Sequence, residues 1–466
     1  MMITRDVINP DINYHGYTKQ DLCQLIDKWK RLLVEKHGAQ KGQTLAIGIM
    51  TVNHNHVAAL FAGAELGMKI FLITKPIAVE TLHATKMGQF GPVDITVTQR
   101  FPDGDIHYEM FSRYSKRICY EDEAQFYATV PFQPWEVYPE DDLIFASTSG
   151  TTSDSRPVMF SHRDAYELSK RNISVFKLGK ENVIQHTANM HHASSMLTSL
   201  IPSLMVCDQH YFGSVSLGMH FISSERPHIN LENMCRRGVD RFIVGNIGLL
   251  YLIVSGFKDT AVRPAKRFLV NVSGFTVPEN LYQMCHDYPI DLISHYGSID
   301  TGIPILVNYV DRNSVYRENY LGKTVDVFYR VSDNTVSCDL WDADRSMPDD
   351  LLNIDGEYFY QGRRNTEVND DETLSLLKEQ LVDYSVVKTD KAKYLVVWDK
   401  PDLDYVTARS GIQLLFEGPI HLNKEDFFID TKISMEQLRA YLDHNYLPKE
   451  DYGGLKQVWN DNEKSN

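Results

Sequence analysis

Six of the seven residues in Ser147-Thr148-Ser149-Gly150-Thr151-Thr152-Ser153 carry hydroxyls. Hydroxyls and backbone amides around a flexible glycine make an anion cradle, the chemistry of holding phosphate. The same run taken alone is equally a solvated Ser/Thr turn. It follows the apolar stretch Leu143-Ile144-Phe145-Ala146, and two more apolar stretches end in a similar way. Phe268-Leu269-Val270-Asn271-Val272 leads into Ser273-Gly274-Phe275, and Leu292-Ile293-Ser294 leads into His295-Tyr296-Gly297-Ser298-Ile299-Asp300. Glycine lets backbone N–H groups approach a ligand closely. Tyr296 offers a ring to stack on a base, and Asp300 a carboxylate for Mg²⁺. Locally, Tyr-Gly is also what an ordinary core tyrosine would leave. Gly322-Lys323-Thr324 imitates the end of a phosphate-binding P-loop, but the first glycine of that motif would fall on Arg317, so Lys323 reads as solvated.

These runs need strands behind them, because ligands of open α/β sheets sit at the carboxyl ends of the strands. The spacing predicts such a frame. Thr18 caps a helix with Leu22, Leu25, Ile26, Trp29, Leu32 and Leu33 on one face. Leu45 to Met50 and Ile70 to Ile73 read as buried strands around a small-residue helix from His54 to Gly67, in which His54-Asn55-His56 simply begins the helix. Continued alternation predicts α/β layers with mostly parallel sheets. Beyond Gly362-Arg363-Arg364-Asn365 the pattern becomes a small α+β unit, with strands at Tyr384–Thr389, Tyr394–Trp398 and Ile412–Phe416 and a helix over Met435–Tyr446. The expected domains are 1–362 and 363–466.

Composition limits the functions open to this frame. The chain has 466 residues, 47 Lys plus Arg and 62 Asp plus Glu, a net charge of −15. Such a chain is a poor polyanion binder, which argues against nucleic-acid partners and against a basic membrane-surface role. From Val331 onward there are 15 basic and 28 acidic residues, a balance of −13, so the first 330 residues are close to neutral. The six cysteines, Cys23, Cys119, Cys207, Cys235, Cys285 and Cys338, show no CxxC spacing and read as free thiols of a reducing compartment. The N-terminus lacks an apolar signal region, and the most apolar run, Phe242 to Phe257, is shorter than the roughly 18 residues of a membrane span. A cytoplasmic protein is expected.

Taken in order, the loops resemble the AMP-forming adenylate-forming superfamily of acyl- and aryl-CoA synthetases, adenylation domains of nonribosomal peptide synthetases and luciferase. The resemblance spans essentially the whole chain. Thr148 to His162, TSGTTSDSRPVMFSH, resembles the phosphate loop TSGTTGxPKGVxxSH, with Ser153 for Gly, Arg156 for Lys and Pro157 for Gly. Tyr296-Gly297-Ser298-Ile299-Asp300 resembles YGxTE, with Ile299 for Thr and Asp300 for Glu. Met347-Pro348-Asp349 resembles the TGD segment, which makes Asp349, or its neighbour Asp350, the candidate for the ribose hydroxyls. Gly362-Arg363-Arg364-Asn365 resembles the GRxD hinge, and Asn462-Glu463-Lys464 the terminal NGK, with Lys456 as the competing lysine. Val368-Asn369-Asp370-Asp371-Glu372 lacks the glycine and basic residues of the VKxxGxR loop.

The resemblance implies ATP-dependent activation of a carboxylic acid to an acyl-adenylate, followed by transfer to a thiol supplied in trans, either CoA or the phosphopantetheine of a stand-alone carrier protein. Thr148, Ser149, Gly150, Thr151, Thr152, Ser153 and Arg156 would hold phosphates. Thr152 and Asp300 would hold Mg²⁺. Ser273, Gly274, Phe275, His295, Tyr296, Gly297 and Ser298 would shape the adenine pocket, and Asp349 and Arg363 would complete the nucleotide site. Lys464 would offset charge between carboxylate and α-phosphate, carried by a small mobile C-terminal lid. Asn189, His191, His192 and Ser195 lie where the resemblance places the acid pocket. Amino-acid-activating relatives have an Asp there, and a histidine supplies no fixed negative charge for an α-ammonium, so an acid without an α-amino group is expected. Two alternatives stay open: a non-catalytic nucleotide-binding relative, and a ligase that transfers directly to an amine.

Overall fold

Thr18 starts the first long helix through a capping box. Its hydroxyl accepts the Asp21 N–H at 3.2 Å, and the Asp21 carboxylate accepts the Thr18 N–H at 3.0 Å. The helix, Lys19–Arg31, turns Leu22, Ile26 and Trp29 into the core and runs into a π-helical turn, Leu32–Lys36. The second helix, His54–Glu65, is capped by Asn53 and begins at His54 as expected. Most of its faces are buried, which explains its small residues. The computed structural model describes residues 1–48, 53–72, 93–100, 111–112, 115–147, 157–186, 195–212, 227–244, 263–273, 276–277, 279–297, 304–325, 329–332, 335–338, 345–346, 349–363, 384–387, 394–398 and 427–430.

Two large sheets carry the frame. In the six-stranded sheet the order is Ile118–Tyr120, Ile95–Thr98, Thr44–Ile47, Lys69–Leu72, Asp142–Ser147, Pro157–Ser161. All neighbours are parallel except the last pair, an antiparallel hairpin. In the eleven-stranded sheet a parallel block runs Ile290–Tyr296, Phe268–Ser273, Arg241–Val244, Val183–His186, Gln209–Phe212, Asn13–Tyr14. Tyr17–Thr18 folds back antiparallel at one edge. At the other edge the sheet continues through Leu306–Val310, Tyr320–Thr324, Glu357–Arg363 and Asp349–Ile354, with antiparallel pairing from Ile290–Tyr296 to Glu357–Arg363. The mostly parallel expectation therefore holds for the centre of the sheet, and the antiparallel wing is an addition to it.

The chain divides into two compact units. The first comprises Met1–Pro76, Phe90–Thr148 and Pro157–Gly362, and the second Ile77–Gln89, Ser149–Arg156 and Arg363–Asn466. In the second unit Tyr384–Val387 and Tyr394–Trp398 pair antiparallel, near the predicted ranges. The third strand described there is Phe427–Asp430, parallel to Tyr394–Trp398. The predicted Ile412–Phe416 strand and Met435–Tyr446 helix lie outside the described residues.

Within the first unit, the helix His162–Val175 serves both large sheets. Ala165 and Leu168 belong to the core around Leu45, Ile70, Val97 and Ile144 of the six-stranded sheet. Val175 and the following Phe176 pack with Ile293 and Val307 of the eleven-stranded sheet. Ser161 caps this helix in a second capping box with Asp164, and His162 Nδ1 accepts the Ile3 N–H at 3.2 Å. Thus the closing Ser-His of the phosphate-loop motif is used structurally. One residue starts a helix and the other holds the N-terminal segment against it.

Lys323 is exposed and faces Glu357 Oε1 at 3.4 Å, in line with the solvated reading. Its neighbour Gly322 has a specific task. It sits at a bulge with φ +106°, and a Cβ there would run into the Val307 carbonyl of the adjacent strand. Gly322→Ala is therefore expected to destabilise the antiparallel wing by about 2 kcal/mol or more. Denaturant midpoints of the two proteins check this, and equal midpoints would contradict it.

Candidate active site

The Ser/Thr-rich run sits between the two antiparallel strands of the six-stranded sheet, and Ser147 faces Pro157 at the base. The nine residues between them, Thr148 to Arg156, lie outside the described residues. What is described is the mounting: Asp142–Ser147 pairs parallel to Lys69–Leu72, so its carboxyl end is also the carboxyl end of the parallel block.

The other two runs come together through register. Phe268–Ser273 and Ile290–Tyr296 are adjacent and parallel, with Val272 opposite Ser294 and Ser273 opposite His295. Both strands therefore stop within one residue of each other, so the chain leaves Ser273 next to the end of the strand at Tyr296. Tyr296 pairs in turn with Leu306 of the antiparallel neighbour. The Ile305 N–H donates to the Tyr296 carbonyl at 2.8 Å, which closes the base of the connection that carries Ser298 and Asp300. Gly274, Phe275, Ser298 and Asp300 themselves lie outside the described residues.

Strand alternation separates Tyr296 from His295. Tyr296 is half-buried and packs against the cluster of Ile305, Leu306, Leu321, Val336 and Tyr358. His295 lies on the opposite face, beside Ile293, and meets Phe176 edge-on with ring centroids 5.4 Å apart. Among the described residues neither His295 ring nitrogen has a hydrogen-bond partner, and burial lowers its pKa to about 4, so the ring is neutral. This ring is a core group.

The remaining predicted residues fall in three places. Asp349 opens the edge strand Asp349–Ile354, and Arg363 closes Glu357–Arg363. These two strands are joined by a tight turn at Asp355-Gly356, both with positive φ. Ser195 is buried at the start of a helical stretch that runs on through Met196–Leu200 and Ile201–Val206. Asn189, His191 and His192, and both Lys456 and Lys464, lie outside the described residues.

The sequence reading passed over His186. It ends the parallel strand Val183–His186, just before the segment assigned to the acid, and it stacks diagonally on His210 of the neighbouring strand, which itself stands opposite Ile184. His210 Nε2 donates to the Cys207 carbonyl at 3.1 Å, so its Nδ1 accepts from His186 Nε2, also at 3.1 Å. That relay leaves His186 Nδ1 as a buried acceptor with no partner among the described residues. Burial holds both rings neutral, His210 with a pKa of about 4 and His186 well below the usual range, where the neighbouring His210 adds to the effect. A histidine ending the apolar-flanked strand Val183–His186 was the signal available in the sequence.

Among the described residues no helix is long and apolar enough to cross a membrane. No family model matches the chain, and no curated protein matches its sequence. Solved structures do match. An anthranilate CoA ligase in complex with anthranoyl-AMP has a TM-score of 0.61 at 14% identity, over 92% of this chain and 93% of that one. O-succinylbenzoate coenzyme A synthetase from Bacillus subtilis, in complex with ATP and magnesium ion, has a TM-score of 0.61 at 15% identity, over 90% and 93%. The adenylation domain of a keto acid-selecting nonribosomal peptide synthetase module, bound to keto acyl adenylate, has a TM-score of 0.62 at 13% identity, over 92% and 91%. The chain thus has the fold of AMP-forming adenylate enzymes.

Proposed function

We propose that the chain activates a carboxylic acid with ATP, forming an acyl-adenylate and releasing pyrophosphate, and then passes the acyl group to a thiol. The observation that carries the proposal is the nearly level ending of Phe268–Ser273 and Ile290–Tyr296, which sets Ser273 beside His295 and Tyr296 at the carboxyl edge of the parallel block. That is where such sheets bind ligands. The motif order and the fold shared with acid-activating ligases support the same reading.

In this reading residues 1–362 bind ATP and acid, and 363–466 form the lid. The acid's carboxylate oxygen attacks the α-phosphorus in line, and the bond to the β-phosphate oxygen breaks. Catalysis then rests on positioning and on charge. Thr148 to Ser153 and Arg156 hold the departing phosphates. Tyr296 stacks on adenine, Ser273, Gly274, Phe275, Gly297 and Ser298 wall the pocket, and His295 acts through its backbone. Asp349 accepts the ribose hydroxyls, and Arg363 stands at the start of the hinge. Thr152 and Asp300 present a hydroxyl and a carboxylate, the hard oxygen donors that Mg²⁺ takes. The ion, when bound, shields phosphate charge. In the second half-reaction a thiolate of CoA or phosphopantetheine attacks the acyl carbon and AMP leaves.

Acid-dependent exchange of pyrophosphate into ATP tests the first step. A panel of acids without an α-amino group should include at least one that drives exchange, and α-amino acids should not. Nucleotide binding with no exchange for any acid would favour a binding module and overturn the proposal. Lys464→Ala should lower the exchange rate by about 10²-fold, the cost of removing one preorganised stabiliser of developing charge. Lys456→Ala should leave it close to wild type. The reverse pattern would move the reactive lysine to position 456.

A further inference from the structure

Away from the candidate site, three ligand-type side chains meet beneath the first helix. His37 follows the π-helical turn Leu32–Lys36, Cys119 lies within the strand Ile118–Tyr120, and Glu123 lies in the 3₁₀ stretch Glu121–Phe126. One ligand atom from each lies within 4.8 Å of the others. His37 Nε2 is already 3.4 Å from Glu123 Oε2. Tetrahedral bonds of about 2.0–2.3 Å to nitrogen, oxygen and sulfur span edges of about 3.3–3.8 Å. Only the thiol has to move in, by about an ångström. His37 and Cys119 are buried and Glu123 is nearly so, which leaves access from the Glu123 side.

From this juxtaposition we propose that His37, Cys119 and Glu123 form a site for a borderline divalent transition metal of the zinc class, with a solvent molecule as fourth ligand. An N/S/O donor set suits zinc and its cobalt surrogate, and does not suit Mg²⁺ or Ca²⁺. Burial favours the neutral imidazole of His37, against the pull of Glu123, and a neutral imidazole is the ligating form. Burial also raises the Cys119 thiol, with Glu123 adding to it, so the thiol is protonated without metal and releases its proton to solvent on binding. Two cations compete for the carboxylate. Lys36 Nζ is 2.8 Å from Glu123 Oε2, on a side chain that is 48% exposed and free to swing away. Arg100 is 3.5 Å from Oε1 and keeps its bond to Asp122 at 2.7 Å. The ion would fasten the strand and the 3₁₀ stretch to the end of the first helix.

The test uses the full chain, stripped with chelator and titrated with Co²⁺ and then Zn²⁺. Wild type should take up one equivalent with a thiolate-to-cobalt charge-transfer band, and Zn²⁺ should abolish the band. Cys119→Ser should lose the band. His37→Gln should bind more weakly by more than the ~10–100-fold that outer-shell changes cost. Lys36→Ala, a change at an exposed side chain that leaves folding intact, should bind up to roughly fivefold more tightly by freeing Oε2. A band that survives in Cys119→Ser, an absence of saturable binding in wild type, or weaker binding in Lys36→Ala would overturn the site. Should Cys119→Ser not fold, His37→Gln and Lys36→Ala decide the matter.

Discussion

Between pH 7 and pH 5 the first unit is expected to lose on the order of 5 kcal/mol of stability. Burial holds His162, His210 and His295 at pKa values of about 4. Their ordinary value is about 6.5. In the folded chain they stay neutral as the pH falls, whereas in the unfolded chain they take up protons. The stabilisation is therefore complete above about pH 6.5, is lost progressively below it, and levels off near pH 4. Each histidine accounts for about 2 kcal/mol by pH 5, and His186, lowered further by burial and by His210, adds in the same direction. Carboxylates held low by their partners, such as Glu65, respond only below that window. Denaturant midpoints at pH 7, 6 and 5, read by tryptophan fluorescence, check this. His295→Leu, which removes one of the titrating rings without introducing a charge, should flatten the slope by close to one proton. A midpoint that does not change from pH 7 to 5 would refute the account.

Arg5→Ala is expected to cost 3–5 kcal/mol. Arg5 lies in the N-terminal segment and forks between two carboxylates, reaching Asp27 at 2.7 Å and Glu65 at 2.8 Å. Lys30 completes the group, 3.2 Å from Asp27 and 2.8 Å from Glu65. Asp27, Glu65 and Lys30 are each less than a tenth exposed. Burial opposes charge on Arg5 and Glu65, and their mutual hydrogen bonds and attraction outweigh it, which raises the guanidinium and lowers the carboxyl. Without the guanidinium, two buried carboxylates would share one ammonium. Arg5→Lys keeps the charge but loses the fork, so a smaller loss is expected. Urea midpoints of the three proteins give the order wild type, Arg5→Lys, Arg5→Ala, and equal midpoints for wild type and Arg5→Lys would show that the fork adds nothing.

Local signals were legible in the sequence and distant ones were not. Thr18 and the period of Leu22, Ile26 and Trp29 announce a helix because cap and face lie within one segment. The strands at Leu45, Ile70, Leu143, Phe268 and Leu292 were legible for a related reason: a doubly covered parallel strand is a plain apolar run. The antiparallel wing was missed because its strands carry glycine and charged residues and show neither a plain apolar run nor a clean alternation. Tyr320–Thr324 contains a glycine and an exposed lysine, and Asp349–Ile354 begins with two acids. The return strand Pro157–Ser161 was hidden in the motif, where it read as part of a loop. Arg5, Asp27, Lys30 and Glu65 are separated by up to 60 residues and look in sequence like ordinary surface charges. In the candidate site the strand ends were legible, while the choice between the two faces of Ile290–Tyr296 was not. Adjacent residues of a strand point to opposite faces, so His295 went to the core and Tyr296 to the other side.

The segment from Ile3 to Tyr14 is made well before several of the partners that fix it in place. Its Ile3 N–H waits for His162. The Asn9 amide donates to the carbonyls of Val206 and Cys207 and to Asp208, and Asn13–Tyr14 takes its place in the sheet beside Gln209–Phe212. At the usual pace of synthesis those partners emerge about 10–40 seconds later. Until then the segment, whose Ile3, Ile8, Ile12 and Tyr14 end up buried, has only its nearer partners, such as Asp27 and Glu65 for Arg5, to settle on. This delay gives a nascent-chain chaperone time to act on the segment. Slow codons after position 212 would lengthen the time in which closure can occur before the acidic stretch from Val331 follows.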